Sequence, residues 1–240
     1  MLTCTIFAKN EAPTIAACIE SVRGQADKIY VMVNGSTDGT VKIADKFGVW
    51  VSQTSKADKA AAWNFAVHHV IHRRNVDAHF FVDGYATVLP GSFAAMAREF
   101  NDPVVNAVSA APASGRSRDA LRERLARCEG LHGSLFALSG DFVARIQRLG
   151  IRLPAGLYRG DGLIASMALH DLDHTKPWDY RHIRFAPDAG WTFPGLSPLR
   201  PADWRRWLTR RRNQRLGVEQ NARLRAAIYR DGFTNLPKSI

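Results

Sequence analysis

The sequence predicts an α/β protein with a mostly parallel central sheet flanked by helices. Short apolar runs rich in β-branched and aromatic residues alternate with segments whose apolar residues recur at helical spacing. The first three are a strand at 2–8, a helix at 15–22 and a strand at 28–33. Alternating strands and helices imply right-handed crossovers and parallel pairing. The chain has 240 residues, of which 46% are hydrophobic, and this is enough for one large domain.

The remaining elements continue this alternation. Strands are predicted at 48–51, 79–83, 104–110 and 135–138, with an edge strand and loop at 184–193. Helices are predicted at 41–47, 57–72, 92–100, 121–128, 141–149 and 163–168. A parallel sheet of this kind has the geometry of a nucleotide-binding fold.

Composition narrows the range of functions. The net charge of +11 indicates an anionic partner, such as nucleic acid, a membrane surface or a phosphorylated substrate. Three cysteines without close spacing, Cys4, Cys18 and Cys128, argue against a disulfide framework and a cysteine-based zinc site. The sequence shows no signal-peptide pattern and no apolar run of roughly 18 residues, so we expect a soluble cytoplasmic protein.

Asp83 follows the apolar run 79–82 directly, and it is therefore expected where a buried strand leaves the sheet. Ligands of open α/β sheets bind outside the carboxyl ends of the strands. A carboxylate at that position can hold a divalent cation, which neutralises nucleotide phosphates. The alternative interpretation is that Asp83 begins a turn with Gly84.

Several short motifs occur in a characteristic order. They are Ala8-Lys9-Asn10-Glu11, Asn34-Gly35-Ser36-Thr37-Asp38-Gly39-Thr40, Lys59-Ala60-Ala61-Ala62-Trp63-Asn64, Phe81-Val82-Asp83 with Leu89-Pro90-Gly91-Ser92, and Gly160-Asp161-Gly162. Over about residues 1 to 170 the chain resembles the family 2 glycosyltransferases of the GT-A fold. The resemblance implies a Rossmann-like sheet and a nucleotide-sugar donor, expected to be a UDP-sugar. It also implies a saccharide or lipid-linked acceptor.

The resemblance assigns roles to individual residues. Asp83 takes the first position of the family's Asp-x-Asp motif, which holds Mn²⁺ or Mg²⁺, and Asp161 takes the position of the general base. The donor-binding segments supply Asn10, Glu11, Asn34, Ser36, Asp38, Lys59 and Asn64. Three positions depart from the pattern, namely Val33, Trp63 and Tyr85.

The most consequential departure is Tyr85, which replaces the second acid of the Asp-x-Asp motif. A divalent cation held by Asp83 alone would bind more weakly, or basic side chains would replace it in stabilising the leaving diphosphate. Tyr85 itself is expected either to contact the donor sugar or to pack at the strand end.

The resemblance also predicts the domain organisation. A GT-A domain is expected over residues 1–198, divided into a nucleotide-sugar-binding half at 1–110 and an acceptor half at 111–198. A basic helical extension follows at 199–240. Residues 111–117, which are rich in Pro, Ser, Gly and Ala, form the predicted connection between the halves.

Two residues of the acceptor half have competing interpretations. Asp161 is expected to remove the acceptor hydroxyl proton in an inverting, in-line displacement, or else to cap the helix that follows it. His132 is expected to contact substrate, to replace the missing acid as a metal ligand, or to lie in an ordinary loop.

The C-terminal segment is strongly basic, with ten arginines but only two acids between residues 200 and 230. Its Arg- and Trp-rich part at 204–215 is expected to bind substrate phosphates, to contact anionic lipid at the inner face of the membrane, or to be a solvated helix face.

Three functions are compatible with the whole sequence. The first is an inverting glycosyltransferase in bacterial surface polysaccharide or glycolipid synthesis. The second is a noncatalytic binder of nucleic acid or of an anionic membrane surface, although no nucleic-acid module is recognisable. The third is a nucleotidyltransferase, which would usually carry a Gly-rich phosphate loop near its first strand.

Overall fold

The computed structural model describes residues 1–71, 75–115, 117–195 and 201–240, without the side chains of 201–212 and 214. Its strands are β1 (Leu2–Ala8), β2 (Lys28–Asn34), β3 (Trp50–Thr54), β4 (Ala78–Asp83), β5 (Thr87–Val88), β6 (Ala107–Pro112), β7 (Leu135–Ser139) and β8 (Ile183–Thr192). Its helices are α1 (Ile15–Val22), α2 (Thr40–Ala44), α3 (Lys59–Phe65), α4 (Ser92–Arg98), α5 (Arg118–Ala126), α6 (Gly140–Leu149), α7 (Gly160–Leu169) and α8 (Pro201–Asp231).

The strands form one sheet in the order β3-β2-β1-β4-β7-β6-β8-β5. The first four are parallel, β7 is antiparallel to both β4 and β6, and β8 is parallel to β6. The predicted α/β architecture with a mostly parallel sheet is therefore confirmed.

Two details of the prediction are wrong. Strand β8 is not an edge strand, because the two-residue β5 pairs with it on the side away from β6. The helix predicted at 57–72 is regular over Lys59–Phe65 and continues as a π-helical turn over Ala66–Val70.

The core lies on both faces of the sheet. In β4, Phe80 and Val82 pack with α1, α2 and α4, whereas Phe81 packs with α3, α6 and α7 on the opposite face. Strands buried on both faces are continuously apolar rather than alternating, and this explains the run that ends at Asp83.

The end of the C-terminal extension packs on the rest of the protein. Leu224, Ile228 and Phe233 are buried in the same core cluster as α7. Ala155 donates a backbone hydrogen bond of 2.9 Å to Lys238 and accepts one of 3.1 Å from Ile240. The predicted boundary between 198 and 199 remains a prediction. The side chains of 204–212, which carry most of the basic segment, lie outside the described residues.

Cys4, Cys18 and Cys128 are free thiols. Within the described ranges, no helix is both long enough and apolar enough to span a bilayer.

Candidate active site

A cleft of about 620 Å³ lies where β1 and β4 leave the sheet, since both Phe7 and Asp83 line it. Its walls come from both halves of the chain. Of the predicted site residues, the cleft brings together Lys59, Asp83, Tyr85 and Asp161. His132 also lines it. Residues far apart in sequence therefore meet at the sheet edge where ligands of α/β folds bind.

Asp83 is positioned by the end of β4. It lies beside Phe7 in the parallel ladder, and the amide of Gly84 donates a 2.8 Å hydrogen bond to the Phe7 carbonyl. A Cβ on Gly84 would lie 3.1 Å from the Ala8 Cβ, so glycine permits this close approach of the two chains. The Asp83 side chain is 16% exposed and is directed to the cleft from a rigid strand end.

Lys59 connects the two halves of the cleft. It is the first residue of α3, whose N-cap Asp58 accepts hydrogen bonds from Ala61 and from Gly156. The Lys59 ammonium forms an ion pair with Asp83 Oδ1, and its Nζ lies 3.4 Å from the Gly133 carbonyl oxygen. A positive charge is thereby held at the predicted metal and phosphate position.

Asp161 lies in the first turn of α7 and contacts the loop before β7. Its Oδ1 accepts a 3.0 Å hydrogen bond from the Gly162 amide, and its Oδ2 accepts a 3.1 Å bond from the Gly133 amide. The residue at the N-cap position is Arg159 rather than Asp161. The contact with Gly133 lies outside the helix, so the side chain does more than cap α7. An ionised carboxylate has about four lone-pair sites, and sites therefore remain for a substrate hydroxyl.

His132 lies deep in the cleft, stacked on Trp191 with 5.1 Å between ring centroids. Burial lowers its pKa, and the charges of Arg124 and Lys59 lower it further, whereas Asp161 and Asp83 act in the opposite direction. Its Nδ1 accepts a 3.2 Å hydrogen bond from the Ser134 amide. Neutral His132 therefore carries its proton on Nε2, and this tautomer suits donation to a substrate oxygen better than metal ligation.

Tyr85 occupies the position of the missing acid and lines the cleft. Its hydroxyl and the Ser134 hydroxyl are 2.7 Å apart and share a hydrogen bond. The tyrosine is thus fixed to the same loop that contacts Lys59 and Asp161.

Five other predicted donor-binding residues lie at the ends of β1 and β2, outside the residues that line this cleft. Asn10, Ser36 and Asp38 join the two loops there. Ser36 accepts from the Asn10 amide, Asn10 Oδ1 accepts from the Thr37 amide, and Asp38 accepts from the Ala12 amide. Glu11 and the buried Asn34 belong to the same pair of loops. Their contacts with a donor remain predictions.

Asn64 and Trp63 make contacts that stabilise the fold around the cleft. Asn64 forms two 2.8 Å hydrogen bonds with the backbone of Leu153, and these hold the loop that precedes α7. Trp63, which departs from the expected motif pattern, is 2% exposed and packs on Phe81, so the core accommodates it. The donor-binding role of Asn64 remains a prediction.

The C-terminal helix α8 supports the site, and this contact was not predicted from the sequence. Gln220, which is 6% exposed, accepts a 2.9 Å hydrogen bond from the Tyr158 amide and donates one of 3.0 Å to the Gly156 carbonyl. A Cβ on Gly217 would lie 2.8 Å from the Arg159 side chain, so α8 packs closely on the start of α7. A single amide within a polar helix gives no local sequence signal for such a contact.

The residues around Asp83 fit a divalent cation that takes most of its ligands from a bound diphosphate. Among the described residues, Asp83 Oδ2 has no hydrogen-bond partner, and no group of three His, Cys, Asp or Glu side chains could hold a metal ion. Mg²⁺ and Mn²⁺ commonly keep one or two protein carboxylates together with phosphates and waters. Asp83 alone is compatible with that arrangement.

Solved structures share this architecture. The chain is similar to glucosyl-3-phosphoglycerate synthase from Mycobacterium tuberculosis in complex with Mn²⁺, UDP and glucosyl-3-phosphoglycerate. The TM-score is 0.60 at 18% identity, covering 85% of this chain and 74% of that one. The same enzyme with Mg²⁺ and UDP matches with a TM-score of 0.59 at 18% identity, covering 85% and 73%. At this identity the likeness establishes the fold alone.

The fold and the family together define the class of protein. The architecture matches that of solved GT-A structures. Residues 3–148 match the profile of Glycosyl transferase family 2, and the chain belongs to that family. This confirms the resemblance found in the sequence motifs and the prediction of an enzyme. No curated protein matches the chain in a sequence comparison.

Proposed function

We propose that this protein is an inverting transferase that moves a sugar from a UDP-sugar to a hydroxyl of a saccharide or lipid-linked acceptor. The observation that carries the proposal is the cleft in which Asp83, Lys59 and Asp161 meet around the loop 132–134. Family membership and the UDP bound in the structural neighbours support a nucleotide-sugar donor.

The proposed chemistry is a single displacement. Asp161 accepts the proton of the acceptor hydroxyl while the acceptor oxygen forms a bond to the anomeric carbon. The bond between that carbon and the diphosphate oxygen breaks, and its electrons leave with the nucleoside diphosphate. Lys59 stabilises the charge that develops on the leaving group.

Asp83 is the residue proposed to hold a divalent cation. Such a cation would supply additional positive charge to the diphosphate oxygens. The Mn²⁺ and Mg²⁺ in the structural neighbours support this assignment. Because one carboxylate carries the protein's share of the ligation, we expect cation binding to depend on the nucleotide.

We place the reaction in bacterial surface polysaccharide or glycolipid synthesis, in the cytoplasm or at the inner face of the membrane. This setting rests on the sequence resemblance and on the basic composition of the C-terminal segment. Family membership favours this function over a noncatalytic binder of nucleic acid or lipid and over a nucleotidyltransferase.

A thermal-shift panel of nucleoside diphosphates, each with and without Mn²⁺, tests the proposal. A ligand that binds only the native state raises the melting temperature, by an amount that grows with the logarithm of its concentration relative to its Kd. We expect UDP with Mn²⁺ to give the largest shift. A flat panel, together with tight and steeply salt-dependent binding of nucleic acid, would contradict it and favour the noncatalytic binder.

A further inference from the structure

We propose that the acceptor carries a phosphate or carboxylate group, and that Arg124 and Arg159 bind it on the acceptor side of the cleft. The inference rests on the proposed function, since it names the chemical class of the acceptor. Both arginines line the cleft and come from the elements around Asp161, namely α5 and the start of α7.

The charges in the cleft are not balanced. Lys59 is neutralised by Asp83, and Arg118 by Asp119 at 2.9 Å. Among the described residues, neither Arg124 nor Arg159 has a carboxylate within salt-bridge distance. Asp161 is contacted by backbone amides instead. Within the described part of the chain, two guanidinium groups of the cleft therefore remain without an anionic partner.

Arg159 is half-buried and held in place by its aliphatic stem. Its Cγ and Cδ pack beside Gly217 of α8, where a Cβ would approach to 2.8 Å. The residue precedes Asp161 by two positions and forms the N-cap of α7. A guanidinium fixed in this way loses little conformational freedom when it binds an anion, and this favours tight binding.

Arg124 acts on the same part of the cleft from α5. The helix is anchored by the buried Leu125, and the Arg124 charge contributes to the lowered pKa of His132. Since charge effects of this kind weaken with distance, Arg124 lies within electrostatic reach of the residue that stacks on Trp191.

An acceptor anion explains this charge better than the donor does. The proposed donor phosphate position, at the end of β4, already has Lys59 and, through Asp83, the proposed site for a divalent cation. An anionic acceptor approaching Asp161 would be repelled by the Asp161 carboxylate unless nearby cations offset this repulsion. Arginine binds phosphate and carboxylate in the same bidentate geometry, so the site suits either group.

The test uses a matched series of small hydroxyl compounds. Glycerol 3-phosphate carries only the phosphate, glycerate only the carboxylate, and glycerol neither group. Each is titrated into the UDP-saturated protein and followed by NMR. We expect both anions to bind at least about tenfold more tightly than glycerol, as charge-assisted hydrogen bonds require.

Two variants and a control identify the residues. Arg124→Gln and Arg159→Gln should each weaken binding of the better anion by about tenfold and leave UDP affinity within about twofold. The glutamine side chain in Arg159→Gln retains the Cγ that packs beside Gly217, and thermal melting checks the fold. The control is Arg127→Gln, since Arg127 pairs with Glu129 outside the cleft and its loss should change neither affinity.

Three outcomes would overturn the inference. The anions could bind no better than glycerol, or both variants could bind them normally. The variants could also weaken UDP rather than the anions, which would assign the arginines to the donor. In each of these cases UDP binding to the unmodified protein still supports the proposed function. Failure of that protein to bind UDP would instead remove the proposed function, and this inference with it.

Discussion

The amide of Gly133 donates a 3.1 Å hydrogen bond to Asp161 Oδ2, and the Gly133 carbonyl oxygen lies 3.4 Å from Lys59 Nζ. One residue thus joins the proposed base to the lysine that faces Asp83. A Cβ on Gly133 would lie 3.4 Å from Asp161 Oδ2 and 3.7 Å from Lys59 Nζ. These are ordinary van der Waals distances, so a methyl group fits. A larger side chain would collide with Asp161 and Lys59.

Side-chain size at Gly133 should therefore control the rate. Gly133→Ala is expected to keep kcat within about threefold, whereas Gly133→Leu should lower it by about 100-fold, because displacing catalytic groups by an ångström has effects of that order. Steady-state kinetics measures the difference, with a sugar donor built on the nucleoside diphosphate that gives the largest thermal shift. Equal rates for the two variants would show that the loop tolerates displacement.

Lys59→Met separates nucleotide binding from cation binding. Loss of the ammonium should raise the Kd of UDP by about tenfold. The same substitution leaves Asp83 without its cationic partner, so Mn²⁺ alone should bind more tightly than it binds to the unmodified protein. Electron paramagnetic resonance of free Mn²⁺ measures the second effect.

The matched control for this experiment is Lys56→Met, since Lys56 is exposed and does not line the cleft. Lys56→Met should change neither the Kd of UDP nor that of Mn²⁺. Unchanged Mn²⁺ binding in Lys59→Met would argue against Asp83 as the metal ligand.

The buried pair Thr3 and His79 predicts a pH dependence of stability. Burial lowers the pKa of His79 from 6.5 to about 4, and the Thr3 hydroxyl lies 2.6 Å from its Nδ1. The unfolded chain therefore binds the proton more readily. The contribution is fully present above about pH 6.5 and is lost as the pH falls towards 4. The loss of stability should reach about 3 kcal/mol at the acid end.

Urea unfolding at pH 7 and pH 4.5 tests this prediction. The double variant Thr3→Val with His79→Leu removes both polar partners together and should show a weaker pH dependence over that range. An equally steep loss of stability in the double variant would assign the effect to other groups.

Gln220 should couple the C-terminal helix to the active site. Gln220→Ala removes two hydrogen bonds to the backbone at 156 and 158, which should cost about 2 kcal/mol. We expect faster hydrogen exchange at 156–160 and lower kcat, since this loop leads to Asp161. Glu219→Gln, on the exposed side of α8, is the control. Unchanged exchange at 156–160 would contradict the anchoring role.

The sequence predicts those structural features that depend on residues close together in the chain. Asp83 follows an apolar strand, and Asp161 precedes an apolar helix. Such boundaries are visible in hydrophobic periodicity. The parallel pairing of the first four strands also follows from their alternation with helices. For these reasons the fold class and the position of the cleft could be predicted.

Contacts between distant segments could not be predicted. Strand β5 has two residues and no periodicity, so its pairing with β8 left no signal, and β8 was mistaken for an edge. The partner of Gly133 is Asp161, 28 residues away, and that of Gln220 is Tyr158, 62 residues away. Arg159 packs beside Gly217 of another helix. Their roles depend on tertiary placement, and residue type alone does not disclose it.

The proposed function depends above all on Asp161 as the base of sugar transfer, and Asp161→Asn tests this role most directly. The amide is nearly isosteric, so the variant should fold and should bind UDP with unchanged affinity. Product formation should fall by about 10²- to 10⁴-fold, the usual contribution of a general base. The exposed Asp188→Asn is the control and should keep full activity. Full activity in Asp161→Asn, with normal folding and UDP binding, would contradict the claim.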